Sequence, residues 1–206
     1  MKIIVLGGFL GSGKTSVVIQ LAKYIAGSNP ENAAKVVILE NEIGEVSVDD
    51  KLLKNTGYKV ENLFSGCVCC TMSGELVFGL RKIIAEMNPE IIIMEATGVA
   101  YPDNIRKTIV QCVPEVDCGV VCVTDAKRWK RLLRPMEMLL KDQLDVADVI
   151  LVNKVDMVDE NTLAEVEASI RTFNNSAQFF RVSAAGTIGG DVFDAMLGKA
   201  RRSESI

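Results

Sequence analysis

Hydrophobic residues fall along this chain in two alternating textures. Short candidate strands occupy residues 2–7, 35–40, 59–63, 90–95, 119–124, 149–153 and 178–182, and several of them read as almost continuously apolar. Runs of this length, rich in Ile and Val, predict strands. Their lack of in–out alternation predicts strands covered on both faces, as in a parallel sheet. Between them, apolar positions recur at helical spacing. Val17, Val18, Leu21 and Ile25 share one face, as do Leu76, Leu80, Ile83, Ile84 and Met87, and again Leu163, Val166, Ile170 and Phe173. Strand and helix alternating from end to end predict the α/β class, with a doubly wound, mostly parallel sheet between two helical layers. No internal repeat, low-complexity block or linker interrupts the rhythm, so residues 1–200 read as one domain. Asn29-Pro30-Glu31-Asn32 reads as a surface loop and residues 201–206 as a polar, solvated tail.

Composition narrows the class. The 206 residues are 49% apolar and 24% charged, an ordinary globular balance with room for a substantial core. The net charge of −4, with Lys and Arg scattered, argues against a nucleic-acid partner. The apolar start, Ile3-Ile4-Val5-Leu6, runs straight into glycines and Lys14 without a small-residue cleavage site. It therefore reads as a buried first strand rather than a secretion signal. No apolar run is long enough to span a bilayer, so no membrane partner is expected and the expected location is the cytoplasm. Six cysteines stand against no histidine. Imidazole is thereby excluded as base or ligand, and any bound metal must rely on thiolate, carboxylate or water.

The first strand leads into Gly8-Phe9-Leu10-Gly11-Ser12-Gly13-Lys14-Thr15, a match to G-x-x-x-x-G-K-[ST] in the strand–loop–helix context that this phosphate-binding loop requires. Backbone N–H groups freed by Gly8, Gly11 and Gly13 turn towards phosphate oxygens, and the N-terminus of the following helix, including Ser12 and Ser16, adds a favourable dipole. Lys14 is expected on the β- and γ-phosphates and the Thr15 hydroxyl on Mg²⁺.

Downstream, Asn153-Lys154-Val155-Asp156 follows the apolar run Val149–Val152 and fits the N-K-x-D pattern of guanine recognition. The Asp156 carboxylate can accept from both the ring N–H and the amino group of guanine; adenine has no matching pair of donors. That speaks against an ATP-using relative. Lys154 is expected along the base, and Asn153 as the tie from this loop to the phosphate loop. Ser183-Ala184, after the strand ending at Val182, fits a loop closing over the base and equally fits an ordinary polar turn. Glu95 ends a buried strand and opens Glu95-Ala96-Thr97-Gly98. A carboxylate there can hold Mg²⁺ through water, and the Gly98 N–H can reach the γ-phosphate.

Gly66-Cys67-Val68-Cys69-Cys70 places three thiols within four positions. Converging thiolates bind soft or borderline ions: Zn²⁺ foremost, with Co²⁺ and Ni²⁺ also compatible. Glu40, Asn41, Glu42 and Glu45 precede them, and these carboxylates, Glu42 first among them, are candidates for a fourth ligand. A redox-active or merely buried cysteine cluster is the alternative. Cys122 reads as core filler within a strand.

Taken together, and in order along nearly the whole chain, these motifs resemble the CobW-type GTPases, relatives of the nickel-insertion GTPases of hydrogenase and urease maturation. The matching pieces are Gly7 to Thr15, Glu40-Asn41-Glu42-Ile43-Gly44-Glu45-Val46, the cysteine motif, Glu95-Ala96-Thr97-Gly98, Gln143 with Ala147-Asp148, and Asn153 to Asp156. The resemblance implies a P-loop NTPase of the SIMIBI type that binds GTP or GDP with Mg²⁺. It implies slow GTP hydrolysis, with Lys14 and Glu95 as catalytic candidates, coupled to delivery of a transition metal or cobalt corrinoid to a client metalloprotein or corrinoid protein. A GTP-dependent homodimer is a candidate assembly. Residues 40–50 take the place of the first switch and 95–102 that of the second. Family members commonly add a C-terminal domain, often rich in histidine. This chain stops after the GTPase domain, so client recognition is expected to fall to a partner, a dimer mate or the G-domain surface. The alternative is a nucleotide-regulated module that holds metal or a corrinoid protein and barely hydrolyses GTP. No side chain stands out as general base for the attacking water.

Overall fold

The computed structural model describes residues 1–27, 35–40, 59–62, 73–113 and 115–199. The expectations for the loop at 29–32, the first-switch segment at 41–50 with Glu42, the thiols Cys67, Cys69 and Cys70, and the tail at 201–206 lie outside the described residues.

Seven strands form one sheet. They are β1 (Lys2–Gly7), β2 (Val36–Glu40), β3 (Lys59–Asn62), β4 (Ile91–Glu95), β5 (Asp117–Asp125), β6 (Val149–Asn153) and β7 (Gln178–Arg181), in spatial order β3-β2-β4-β1-β5-β6-β7. Every pairing is parallel. Among the described residues six helices accompany them: α1 (Lys14–Ala26), α2 (Ser73–Met87), α3 (Pro102–Cys112), α4 (Trp129–Asp145), α5 (Glu160–Arg171) and α6 (Gly190–Met196). A short 3₁₀ turn, Val155–Met157, follows β6.

Along β1, successive side chains enter opposite faces, as the two-residue period of a strand demands. Ile3 and Val5 join a cluster with Leu80 of α2, Ile109 of α3, Leu144 of α4 and Ile170 of α5. Ile4 and Leu6 join a second cluster with Leu21 of α1 and Phe193 of α6. Both faces are therefore dry at the centre of the sheet, which explains why β1, β2, β4 and β6 read as nearly unbroken apolar runs. Each fully buried Ile or Leu adds about 1.5–3 kcal/mol of transfer free energy.

α4 is the irregular element. Pro135 lacks the N–H that would continue the helical ladder, and Met136 leaves helical geometry at φ −125°, ψ 20°. Its first residue, Trp129, is nevertheless buried, and its indole N–H donates to Ser169 Oγ of α5 at 3.0 Å.

Strand order matters for chemistry. β1 lies between β4 and β5, so the chain leaves the centre towards β2 on one side and builds β5 to β7 on the other. Open parallel sheets bind ligands outside the carboxyl ends of their strands at such a reversal. Register aligns Leu6 of β1 with Glu95 of β4, and Asp125 of β5 with Asn153 of β6, at that same edge.

Candidate functional site

The loop from β1 to α1 carries Gly8, Gly11, Ser12 and Gly13. Gly13 caps α1 with a left-handed backbone (φ 100°), and no side chain caps the helix, so the N–H groups of its first turn are left for a ligand. A Cβ on Gly13 would stand 2.3 Å from Asn153 Nδ2, so both the conformation and the space require glycine. Lys14 is buried, and its ammonium donates to Gly8 O at 3.0 Å, beneath the loop. Ser16 is exposed on the first turn of α1.

Thr15 and Glu95 meet. The Thr15 hydroxyl donates to Glu95 Oε1 at 3.0 Å, across 80 residues of sequence. A hydroxyl and a carboxylate side by side at a phosphate loop form a hard-oxygen donor set, which fits Mg²⁺. Just beyond, Gly98 packs on the loop itself: a Cβ there would lie 2.5 Å from Leu10 N. Gln143 of α4, 1% exposed, donates through Nε2 to Gly98 O at 3.2 Å and to Ala100 O at 3.1 Å. The Gln143 Oε1 atom has no partner among the described residues.

Asn153 is a hub. Its Nδ2 donates to Ser12 O at 2.7 Å, and its Oδ1 accepts from Lys154 N and Ala184 N, both at 2.8 Å. Phosphate loop, base loop and the loop carrying Ser183 and Ala184 are thus joined through one buried amide. Gln20 of α1 secures the last loop: Nε2 donates to Ala184 O and Gly186 O, and Oε1 accepts from Ile188 N, each at 3.0 Å. Lys154 adopts a left-handed backbone (φ 64°), and its ammonium donates to Gly11 O at 2.7 Å. Asp156 stands exposed in the 3₁₀ turn, on the same loop.

Beneath Lys154 lies Asp125, with a side chain only 1% exposed. It accepts from Lys154 Nζ at 2.7 Å and from Arg128 Nε at 2.6 Å. Burial raises the carboxyl's pKa, but the hydrogen bonds from Lys154 and Arg128 outweigh it and hold the group below its ordinary value.

Asp125, Arg128 and Gln20 carried no expectation from the sequence, and Gln143 only a place in the resemblance. Asp125 ends an apolar strand just as Glu95 does, a signal that would have marked it. Gln143 is a polar residue between the core positions Leu140 and Leu144. Gln20 leaves no trace in the pattern.

Among the described residues, no cluster of Cys, Asp and Glu is arranged to hold a metal ion. Burial pushes the Cys122 thiol up to about 12 and that of Cys118 to about 11, so both stay protonated at neutral pH and are poor ligands. Cys122 packs in the core. No helix among the described residues is long and apolar enough to cross a membrane.

Comparison with known proteins converges on one group. A family model described as "CobW/HypB/UreG, nucleotide-binding domain" matches residues 2–181. The zinc chaperone YjiA of Escherichia coli is 31% identical over 169 residues, covering 78% of this chain and 51% of that protein. The zinc chaperone CobW of a Sinorhizobium species is 31% identical over 201 residues, covering 82% of this chain and 55% of that protein. The chain therefore spans about half the length of these relatives. Among solved structures, the hydrogenase maturation factor HypB of Archaeoglobus fulgidus superposes with a TM-score of 0.66 at 15% identity, covering 96% of this chain and 89% of that one. Zn(II)-bound YjiA from E. coli superposes with a TM-score of 0.62 at 23% identity, covering 97% of this chain and 63% of that one. At these identities the superpositions speak for the fold: an α/β P-loop domain.

Proposed function

The chain belongs to the CobW/HypB/UreG family of nucleotide-binding domains, and on that premise we propose that it binds GTP with Mg²⁺, hydrolyses it slowly, and couples its nucleotide state to binding and delivery of a transition metal. The observation that carries this reading is the junction at Asn153. One buried side chain ties the phosphate loop, through Ser12 O, to the base loop and to Ala184 N, giving a site that grips both ends of a guanine nucleotide.

The residues divide the work. N–H groups of the Gly8 to Thr15 loop and of the first turn of α1 receive the phosphates. Lys14 leaves Gly8 O for the β- and γ-phosphates, where its charge stabilises the transferring group. Mg²⁺ would be held by the Thr15 hydroxyl and, through water, by Glu95, and would supply charge neutralisation at the phosphates. Gly98 presents the γ-phosphate with a backbone that Gln143 has positioned. Asp156 selects guanine, and Ser183 and Ala184 close the far side. The chain has no histidine to act as general base, so slow hydrolysis is expected to depend on positioning of the water by switch carboxylates, a dimer partner or the client.

The metal site rests on the sequence: Cys67, Cys69 and Cys70, with Glu42 as candidate fourth ligand. Zn²⁺ is the first choice from the donor set, and from the zinc chaperones among the relatives. The client is a metalloprotein or corrinoid protein met in the cytoplasm, with a GTP-dependent homodimer as the candidate working form. Zn²⁺ titration of the apo, GDP and non-hydrolysable-GTP forms tests the coupling. Linkage requires that GTP alter metal affinity by the factor with which metal alters GTP affinity. Equal Zn²⁺ affinity in the three forms overturns delivery. Serine at positions 67, 69 and 70 should abolish tight Zn²⁺ binding and leave GTP binding intact; retained binding overturns the placement.

A further inference from the structure

Arg128 belongs to none of the motifs above, yet it touches the phosphate loop. It lies between β5 and α4, where its backbone N–H donates to Asp125 Oδ1 at 3.0 Å and its Nε to Asp125 Oδ2 at 2.6 Å. From that anchorage its Nη2 donates to Leu10 O at 2.6 Å. Lys154, on the same carboxylate, does the same to the next carbonyl, Gly11 O, at 2.7 Å. Two successive carbonyls of the loop are therefore each held by a cation, and both cations are seated on one buried carboxylate.

Peptide planarity makes this consequential. In a trans peptide the carbonyl of one residue and the N–H of the next point opposite ways. Holding Leu10 O and Gly11 O towards Arg128 and Lys154 turns the N–H groups of Gly11 and Ser12 away from them, towards the loop interior. The Ser12 N–H is turned inward and closes the loop on Phe9 O at 3.0 Å, so the peptide left for Arg128 to aim at phosphate is Leu10–Gly11. The guanidinium faces a cavity of about 520 Å³ whose wall also carries Lys127, Lys130 and Arg131, so its own charge is one of several there. What distinguishes Arg128 from these neighbours is the bond to Leu10 O.

We propose that Arg128 is a positioning residue of the phosphate loop: braced on Asp125, it sets the Leu10–Gly11 peptide so that the loop N–H groups receive the β- and γ-phosphates. This rests on the guanine-nucleotide reading above. The orienting effect acts on phosphate recognition and leaves the base contacts of Asp156 alone.

Affinities of the whole chain for GTP, GDP and GMP, in Arg128→Ala, Arg128→Lys and Arg131→Ala, test it. Arg128→Ala should weaken GTP and GDP by about tenfold, the scale of one charge-assisted hydrogen bond, and GMP by less than about threefold. Arg128→Lys keeps the charge but offers one nitrogen in place of the fork that spans Asp125 and Leu10 O, and should fall between wild type and Arg128→Ala. Arg131→Ala removes the same charge from the same cavity without touching Leu10 O, and should leave the GDP-to-GMP ratio unchanged. An unchanged ratio in Arg128→Ala, or an equal fall in Arg131→Ala, overturns the role of Arg128. An unsubstituted chain that binds none of the three nucleotides overturns the functional reading itself.

Discussion

Asp156 and Asp125 show how one residue type serves opposite ends on neighbouring loops. Asp125 is sealed below the surface and saturated by two cations, so its charge is spent on holding other groups in place. Asp156 stands exposed in its 3₁₀ turn and is available to a ligand. Replacing it by Asn exchanges a pure acceptor for a group that also donates. Guanine's two donors then lose a charged partner worth about 1.5–3 kcal/mol, whereas the 2-carbonyl of xanthine gains an amide donor. Asp156→Asn should therefore weaken GTP binding about 10- to 100-fold and strengthen xanthosine triphosphate binding. Competition between the two nucleotides measures the switch, and an unaltered preference would remove Asp156 from base recognition.

The elements matter through their ends, and α4 illustrates this most clearly. Its polar Gln143 faces inward and fastens the carbonyls of Gly98 and Ala100 from 45 and 43 residues away. Leucine in its place would fill the volume but leave two buried acceptors unmet, while also removing the orphan Oε1. A net loss of about 1–2 kcal/mol is expected, or a melting temperature lower by about 2–8 °C for a chain of this size. Since Gly98 abuts Leu10, the ratio of GTP to GDP affinity should also fall. Thermal unfolding and nucleotide titration of Gln143→Leu read the two effects, and an unchanged ratio would show that Gln143 supports only the fold. Legibility at this scale follows the same physics. The central strands were readable because burial on both faces leaves mostly apolar letters, and α1, α2 and α5 because one stripe of each is apolar. α4 was not singled out: Pro135 interrupts its period, and one of its few inward positions is Gln143. Lys14, Thr15 and Asn153 could be read from motif spacing. Arg128 and Gln20 could not, because their partners are backbone carbonyls and N–H groups that no sequence pattern announces.

At the scale of the whole molecule, the chain concentrates its chemistry at one edge of a seven-stranded parallel sheet, while relatives of about twice its length carry further chain beyond the matched portion. The bonds that assemble that edge are remote in sequence: Asn153 to Ser12 spans 141 residues, Lys154 to Gly11 143, and Arg128 to Leu10 118. Contacts of such separation close late, because the intervening loop entropy must be overcome first. On that expectation the pocket is absent from the rate-limiting ensemble of folding. A ligand that grips it should leave the refolding rate nearly untouched and act on the reverse step alone. At a GTP concentration 100 times its dissociation constant, the native state gains about 2.7 kcal/mol, and unfolding in denaturant should slow by about 100-fold. A GTP-dependent acceleration of refolding would mean that the distant loops meet early. If they do not, the nucleotide serves the finished molecule as a kinetic lock, lengthening its life without helping to make it.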